Sequence, residues 1–90
     1  MIYSGDKKIV AILEVHLESY KIYLYSLANL IAFSQNQEEL FTELVIVEKS
    51  EIISMSLNQL GDRIFYNRLV SPSKIEIIVI SHKIGEEEIV

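Results

Sequence analysis

Ninety residues, half of them hydrophobic, supply one core and not two, and they leave more apolar surface than a lone domain of this size readily hides. A formal charge of −5 repels phosphate at long range, so any contact with nucleic acid has to rest on a local basic patch. The absence of cysteine excludes disulfides, thiolate zinc sites and a cysteine nucleophile, and no run of about 18 apolar residues is present to span a membrane as a helix.

A single domain over residues 1–90, pairing with a copy of itself or with a fixed partner, is the expectation from these numbers. Met1 to Gly5 leads into charged residues without the basic start and long apolar run of a secretory signal, which points to the cytoplasm. From Lys8 to Glu18 the odd positions Ile9, Ala11, Leu13, Val15 and Leu17 are apolar, while the even ones turn polar from Glu14 onward. That alternation predicts a strand with one buried face. Ser19 then offers a cap for a helix over Tyr20 to Ser34, in which Tyr20, Tyr23, Leu24, Leu27, Leu30 and Ile31 recur at helical spacing. Gln35 to Glu39 is polar and turns the chain. Leu40 to Val47, rich in β-branched residues, predicts a second strand. Ser50 offers the cap of a second helix with Ile53, Leu57, Leu60 and Ile64 as its buried stripe and Gly61 in its middle. Pro72 ends that helix, Lys74 to Ser81 alternates as a third strand, and Glu86 to Val90 leaves room for a stub of a fourth. The order β-α-β-α-β, with a possible final β, predicts an α/β two-layer sandwich of two helices on one face of a small mixed sheet.

Several local matches accompany that order. Tyr66-Asn67-Arg68-Leu69-Val70-Ser71-Pro72-Ser73-Lys74-Ile75-Glu76-Ile77 resembles the Asn-Arg, short Pro-containing turn and Lys-Ile-Glu-Ile strand of the Alba family of small archaeal chromatin and RNA-binding proteins. Glu43-Leu44-Val45-Ile46 with Lys49 and Ile53-Ser54 is similar to that family's second strand and second helix entry, and Ser19-Tyr20 to the Asn-Tyr that opens its first helix. The resemblance spans about Ile9 to Lys83. It implies an Alba-like dimer that contacts DNA or RNA backbones without sequence specificity. Where the family carries a Gly-Lys-Lys-Pro-like turn this chain reads Glu14-Val15-His16-Leu17-Glu18, and where the family has Arg-Gly-Arg it reads Lys49-Ser50-Glu51. The family's long final hairpin is shortened here and carries Glu86, Glu87 and Glu88.

Lys21, Lys49, Arg63 and Arg68 are therefore the cations expected to line a binding face, with Arg68 the best matched and Tyr20 placed to stack on an unpaired base. Tyr23 and Tyr25 read as packing. His16 and His82 lack the spacing of a metal motif, and Glu14 and Glu18 read as the wet face of a strand rather than an acid and base pair. No phosphate loop, nucleophile elbow or Ser, His and acid set occurs, so neither an enzyme nor a cofactor is expected. The rival reading is a divergent member without nucleic-acid binding, an acidic partner of a basic relative or a subunit of a complex.

Overall fold

The computed structural model describes residues 1–82. Seven strands and one short helix follow one another: β1 (Ile2–Tyr3), β2 (Ile9–Val15), β3 (Tyr20–Ser26), α1 (Leu27–Ser34), β4 (Thr42–Glu48), β5 (Glu51–Leu57), β6 (Arg63–Ser71) and β7 (Lys74–Ser81). They form two antiparallel sheets, β1-β2-β3-β4 and β5-β6-β7. No helix among the described residues is long and apolar enough to cross a membrane.

The first sheet grows from the alternation in β2. Ile9 and Ala11 are buried, and β3 sets Leu24 against Ala11 and Ile22 against Leu13. In β4, Leu44 and Ile46 continue the same two rows opposite Leu24 and Ile22. A register shift at Leu24/Tyr25 ends the regular pairing just before the chain enters α1. Ser26 caps that helix by accepting from the Asn29 amide at 3.4 Å. Asn29 in turn closes the loop behind the helix: its side-chain amide donates to the Glu39 carbonyl at 3.0 Å and its carbonyl accepts from the Phe41 amide at 2.8 Å.

Only Lys49 and Ser50 separate β4 from β5, and there the chain passes from one sheet to the other. Ile52, Ile64 and Tyr66 of the second sheet are buried with Ile9, Ala11, Ile22, Leu24 and Ile46 of the first in one cluster, so the two sheets face each other across a shared core. At one end the sheets are tied by the Gly5 and Asp6 amides, which donate to the Asn58 and Gln59 carbonyls. Ser4, fully buried, supports this corner by donating to Asp6 Oδ1 at 2.6 Å and accepting from the Ile9 amide at 3.1 Å. The Ser4 hydroxyl, followed by the Lys8 amide, holds the Asp6 carboxyl below its ordinary pKa.

This architecture corrects the expected α/β sandwich of two helices on a mixed sheet. The strands expected near 8–18, 40–47 and 74–81 are β2, β4 and β7, but both long helices are absent. Tyr20 to Ser34 divides into β3 and the eight-residue α1. Where nearly every residue is apolar, spacings of two and of three or four are both satisfied, and the partner strands decide. Burying Ile22 and Leu24 contributes roughly 1.5–3 kcal/mol each, well above the helix-propensity differences of at most about 0.7 kcal/mol per ordinary residue. The second expected helix is the β5-β6 hairpin. Of its stripe, Ile64 is buried and Leu57 half-buried, whereas Ile53 is displaced outward at a β-bulge and Leu60 lies exposed in the turn. Pro72 stops no helix; with Ser73 it forms the two-residue connection between the paired Ser71 and Lys74. The expected fourth strand at Glu86 to Val90 and the acidic run Glu86-Glu87-Glu88 lie outside the described residues.

Gly61 is the residue on which the β5-β6 turn depends. Its φ is +74°, and a Cβ there would stand 2.6 Å from Ile9 Cβ and 3.1 Å from Ser4 Cβ, both in the tied corner. Gly61→Ala therefore combines backbone strain with overpacking and is expected to cost about 2 kcal/mol or more, read as a lower urea midpoint with an unchanged m-value.

Candidate functional site

The residues expected to meet nucleic acid come to the surface in three different circumstances. Tyr20 and Lys21 open β3 and pair with Glu48 and Val47 of β4, which places Lys49, one residue beyond, at the same end of the molecule. Tyr20 is half-buried and packs against the core cluster rather than standing out as a platform. Lys21 lies on the opposite face of the sheet, directly across from Glu14, whose carboxylate also contacts the His16 ring and accepts from the Tyr23 hydroxyl at 3.3 Å. Arg63 begins β6, five positions before Arg68, and is separated from it by about 17 Å of extended strand. Arg63 therefore belongs to the other end of the second sheet.

Arg68 is on the core side of β6, in line with Ile64 and Tyr66. Its Nη1 donates to both oxygens of Glu48, at 3.0 and 3.2 Å, while Nε and Nη2 donate to Glu76 Oε1 at 3.1 and 2.9 Å. The Tyr66 hydroxyl adds a bond of 2.7 Å to Glu48 Oε1. Hydrogen bonding to Glu76 and then Glu48 raises the Arg68 pKa further, so the guanidinium stays charged between two carboxylates. One cation on the second sheet thus holds a carboxylate from each sheet, and its donors point into the molecule instead of toward a phosphate. Glu76 and Tyr66 were not legible as members of this group because the helix reading hid the pairing of Arg68 with Glu76, whereas Glu48 is among the carboxylates the sequence offers for ion pairing with these cations. A usable signal existed: Pro72-Ser73 between two apolar runs reads as a hairpin connection, which brings Arg68 opposite a β7 carboxylate.

The histidines do not meet. His16 follows β2 in the first sheet, and His82 follows β7 in the second, where its Nε2 lies 3.0 Å from the Gly61 carbonyl. Glu18 sits exposed in the β2-β3 turn. Among the described residues no group of three or more His, Asp or Glu side chains could hold a metal. Tyr23 and Tyr25 stack on each other on the outer face of the first sheet, with ring centroids 6.2 Å apart.

Sequence reasoning also missed the outer face of the second sheet. Alternation puts Ile75, Ile77 and Val79 of β7 there, 59, 73 and 52% exposed. Beside them in register stand Leu69, Asn67 and Phe65 of β6. Ser56 and Ser54 of β5 form a polar margin, and the Ser54 hydroxyl accepts from the Asn67 side chain at 2.9 Å. Arg63 marks one end of this face and Glu51, opposite Leu69, the other. Three adjacent aliphatic side chains held this far into water on a regular strand form an apolar patch of the kind that partners cover.

No family model, curated protein or solved structure matches the chain.

Two measurements check the role of the charge cluster. Arg68→Ala leaves two carboxylates facing each other without their cation and is expected to lower the urea midpoint, whereas Arg63→Ala, at an exposed strand end, leaves it unchanged. Burial, and then the bond to Glu48, pushes the Tyr66 hydroxyl from 10.0 up to about 12. The fold favours the neutral phenol, so its contribution is complete below pH 10 and is lost as the pH rises from 10 toward about 12. Unfolding midpoints measured across that window should fall more steeply for the native chain than for Tyr66→Phe.

Proposed function

We propose that this chain is an acidic protein-interaction subunit whose partner covers the outer face of the second sheet. The observation that carries the reading is the exposed row Ile75, Ile77 and Val79, set in a regular strand next to Leu69 and Phe65. Hydrophobic burial is the dominant favourable term in most protein association, and an uncharged row with a polar margin has the anatomy of an interface core and rim. The charge distribution supports the same reading: with a net charge of −5 and Arg68 engaged by Glu48 and Glu76, phosphate finds repulsion at long range and few donors at short range.

A second reading, weak Alba-like contact with DNA or RNA backbones, is favoured by one observation, the placement of Tyr20, Lys21 and Lys49 at a common end. Two lysines release few counterions, so such binding would be weak and steeply salt-dependent. A fluorescence titration with labelled duplex DNA and with structured RNA at about 50 mM salt separates the readings, because electrostatic affinity is greatest at low salt. No binding is expected. Saturable binding that Lys21→Glu and Lys49→Glu abolish would overturn the interaction reading in favour of the second.

A further inference from the structure

We propose that the partner of the second sheet's outer face is a second copy of this chain, packed face to face across a two-fold axis. The inference rests on the interaction reading above and names its partner. The face has a middle row, Ser54, Asn67 and Ile77, joined in register across the three strands. On one side of that row lie Phe65 and Val79, then Arg63; on the other lie Leu69 and Ile75, with Glu51 beside Leu69. A two-fold axis lying in the face along the middle row reverses the strand direction and keeps each strand over its own counterpart. Phe65 then meets Leu69 of the second copy, Ile75 meets its Val79, and Ile77 meets its Ile77. The same rotation brings Glu51 of the second copy to the end where Arg63 stands.

Charge complementarity selects this occupant. Arg63 and Glu51 are both exposed, and neither makes a side-chain ion pair among the described residues. They are of opposite sign at opposite ends, an arrangement that satisfies itself twice in a two-fold pair and leaves no charge between. Burial does not strand the Asn67 and Ser54 side chains of the middle row from each other, since Asn67 already donates to Ser54. Three strands of this length offer a face about 14 Å wide and about 26 Å long, a footprint of roughly 360 Å² per copy and below the about 1,200 Å² in total from which stable pairs begin. The association is accordingly weak, with a dissociation constant on the order of 10 μM or above.

Sedimentation equilibrium of the full chain between about 1 μM and 1 mM tests it, with the weight-average mass expected to rise from one chain toward two. Ile77→Glu places two carboxylates against each other at the axis and should weaken association at least about 100-fold. Because Ile77 is 73% exposed, this variant is expected to keep the native far-UV circular dichroism, and the milder Ile77→Ser gives a smaller effect of the same sign should it not. Arg63→Glu alone should weaken the pair, and Arg63→Glu with Glu51→Arg should restore it. A native chain monomeric throughout this range overturns the inference while leaving the interaction reading to the nucleic-acid titration. So does a dimer indifferent to Ile77→Glu, or a double charge swap that fails to restore association.

Discussion

The guanidinium of Arg68 holds Glu48 from one sheet and Glu76 from its own, and the Tyr66 hydroxyl completes the group from the same face of β6. Charges taken partly out of water are costly unless paired, and Glu48 is only 13% exposed, so the arrangement holds only if all its members are present together. It fixes how the end of β4 meets β6 and β7. At the other end the Gly61 turn, pressed on Ile9 and Ser4, sets the approach of the second sheet to the first. Between these two fastenings lies the aliphatic core, which by itself prefers burial but no particular alignment of one sheet on the other.

The same cluster bears on what the surface can do. A protein that binds phosphate backbones needs cations whose donors face outward, and here the arginine with the strongest claim to that role is committed to structure. The remaining candidates divide between the two ends of the molecule, and Lys21 lies across from a carboxylate. An excess of hydrophobic residues in a small chain must go somewhere. In this fold part of it goes to the outer face of the second sheet, part to Val45 and Val47 on β4, and part to α1 and the turns, where Ile31, Phe33, Leu17 and Leu60 are exposed. A chain of two sheets has four faces, and one shared core covers only two of them.

Three of the seven strands were legible. β2, β4 and β7 announced themselves because their alternation or β-branched runs had no competing period, and Ile9, Ala11 and Ile46 fall in the core, although Val15 and Leu17, expected on the same buried face as Ile9, stand 64 and 103% exposed where β2 ends and the turn begins. β3, β5 and β6 were hidden by richness rather than poverty of signal. Tyr20 to Ser26 satisfies the helical spacing and the strand spacing at once, and Ile53 to Ile64 spreads four apolar residues at helical intervals across a bulge, a turn and the start of the next strand. The Alba-like match around Arg68 rested on local residue types, and the same residues serve as well in an antiparallel hairpin.

By itself the sequence determined the composition of the core, the acidic balance, the absence of thiol chemistry and the places where strands are unavoidable, because these depend on side chains and short-range periods alone. Tertiary structure decided the rest. Whether an apolar segment becomes helix or strand, whether Arg68 meets a phosphate or a carboxylate, and which aliphatic row remains in water all depend on partners distant in the chain. Hydrogen-bond pairing between strands and the burial it permits outweigh local propensity by several-fold, so these choices exist only once the two sheets have met.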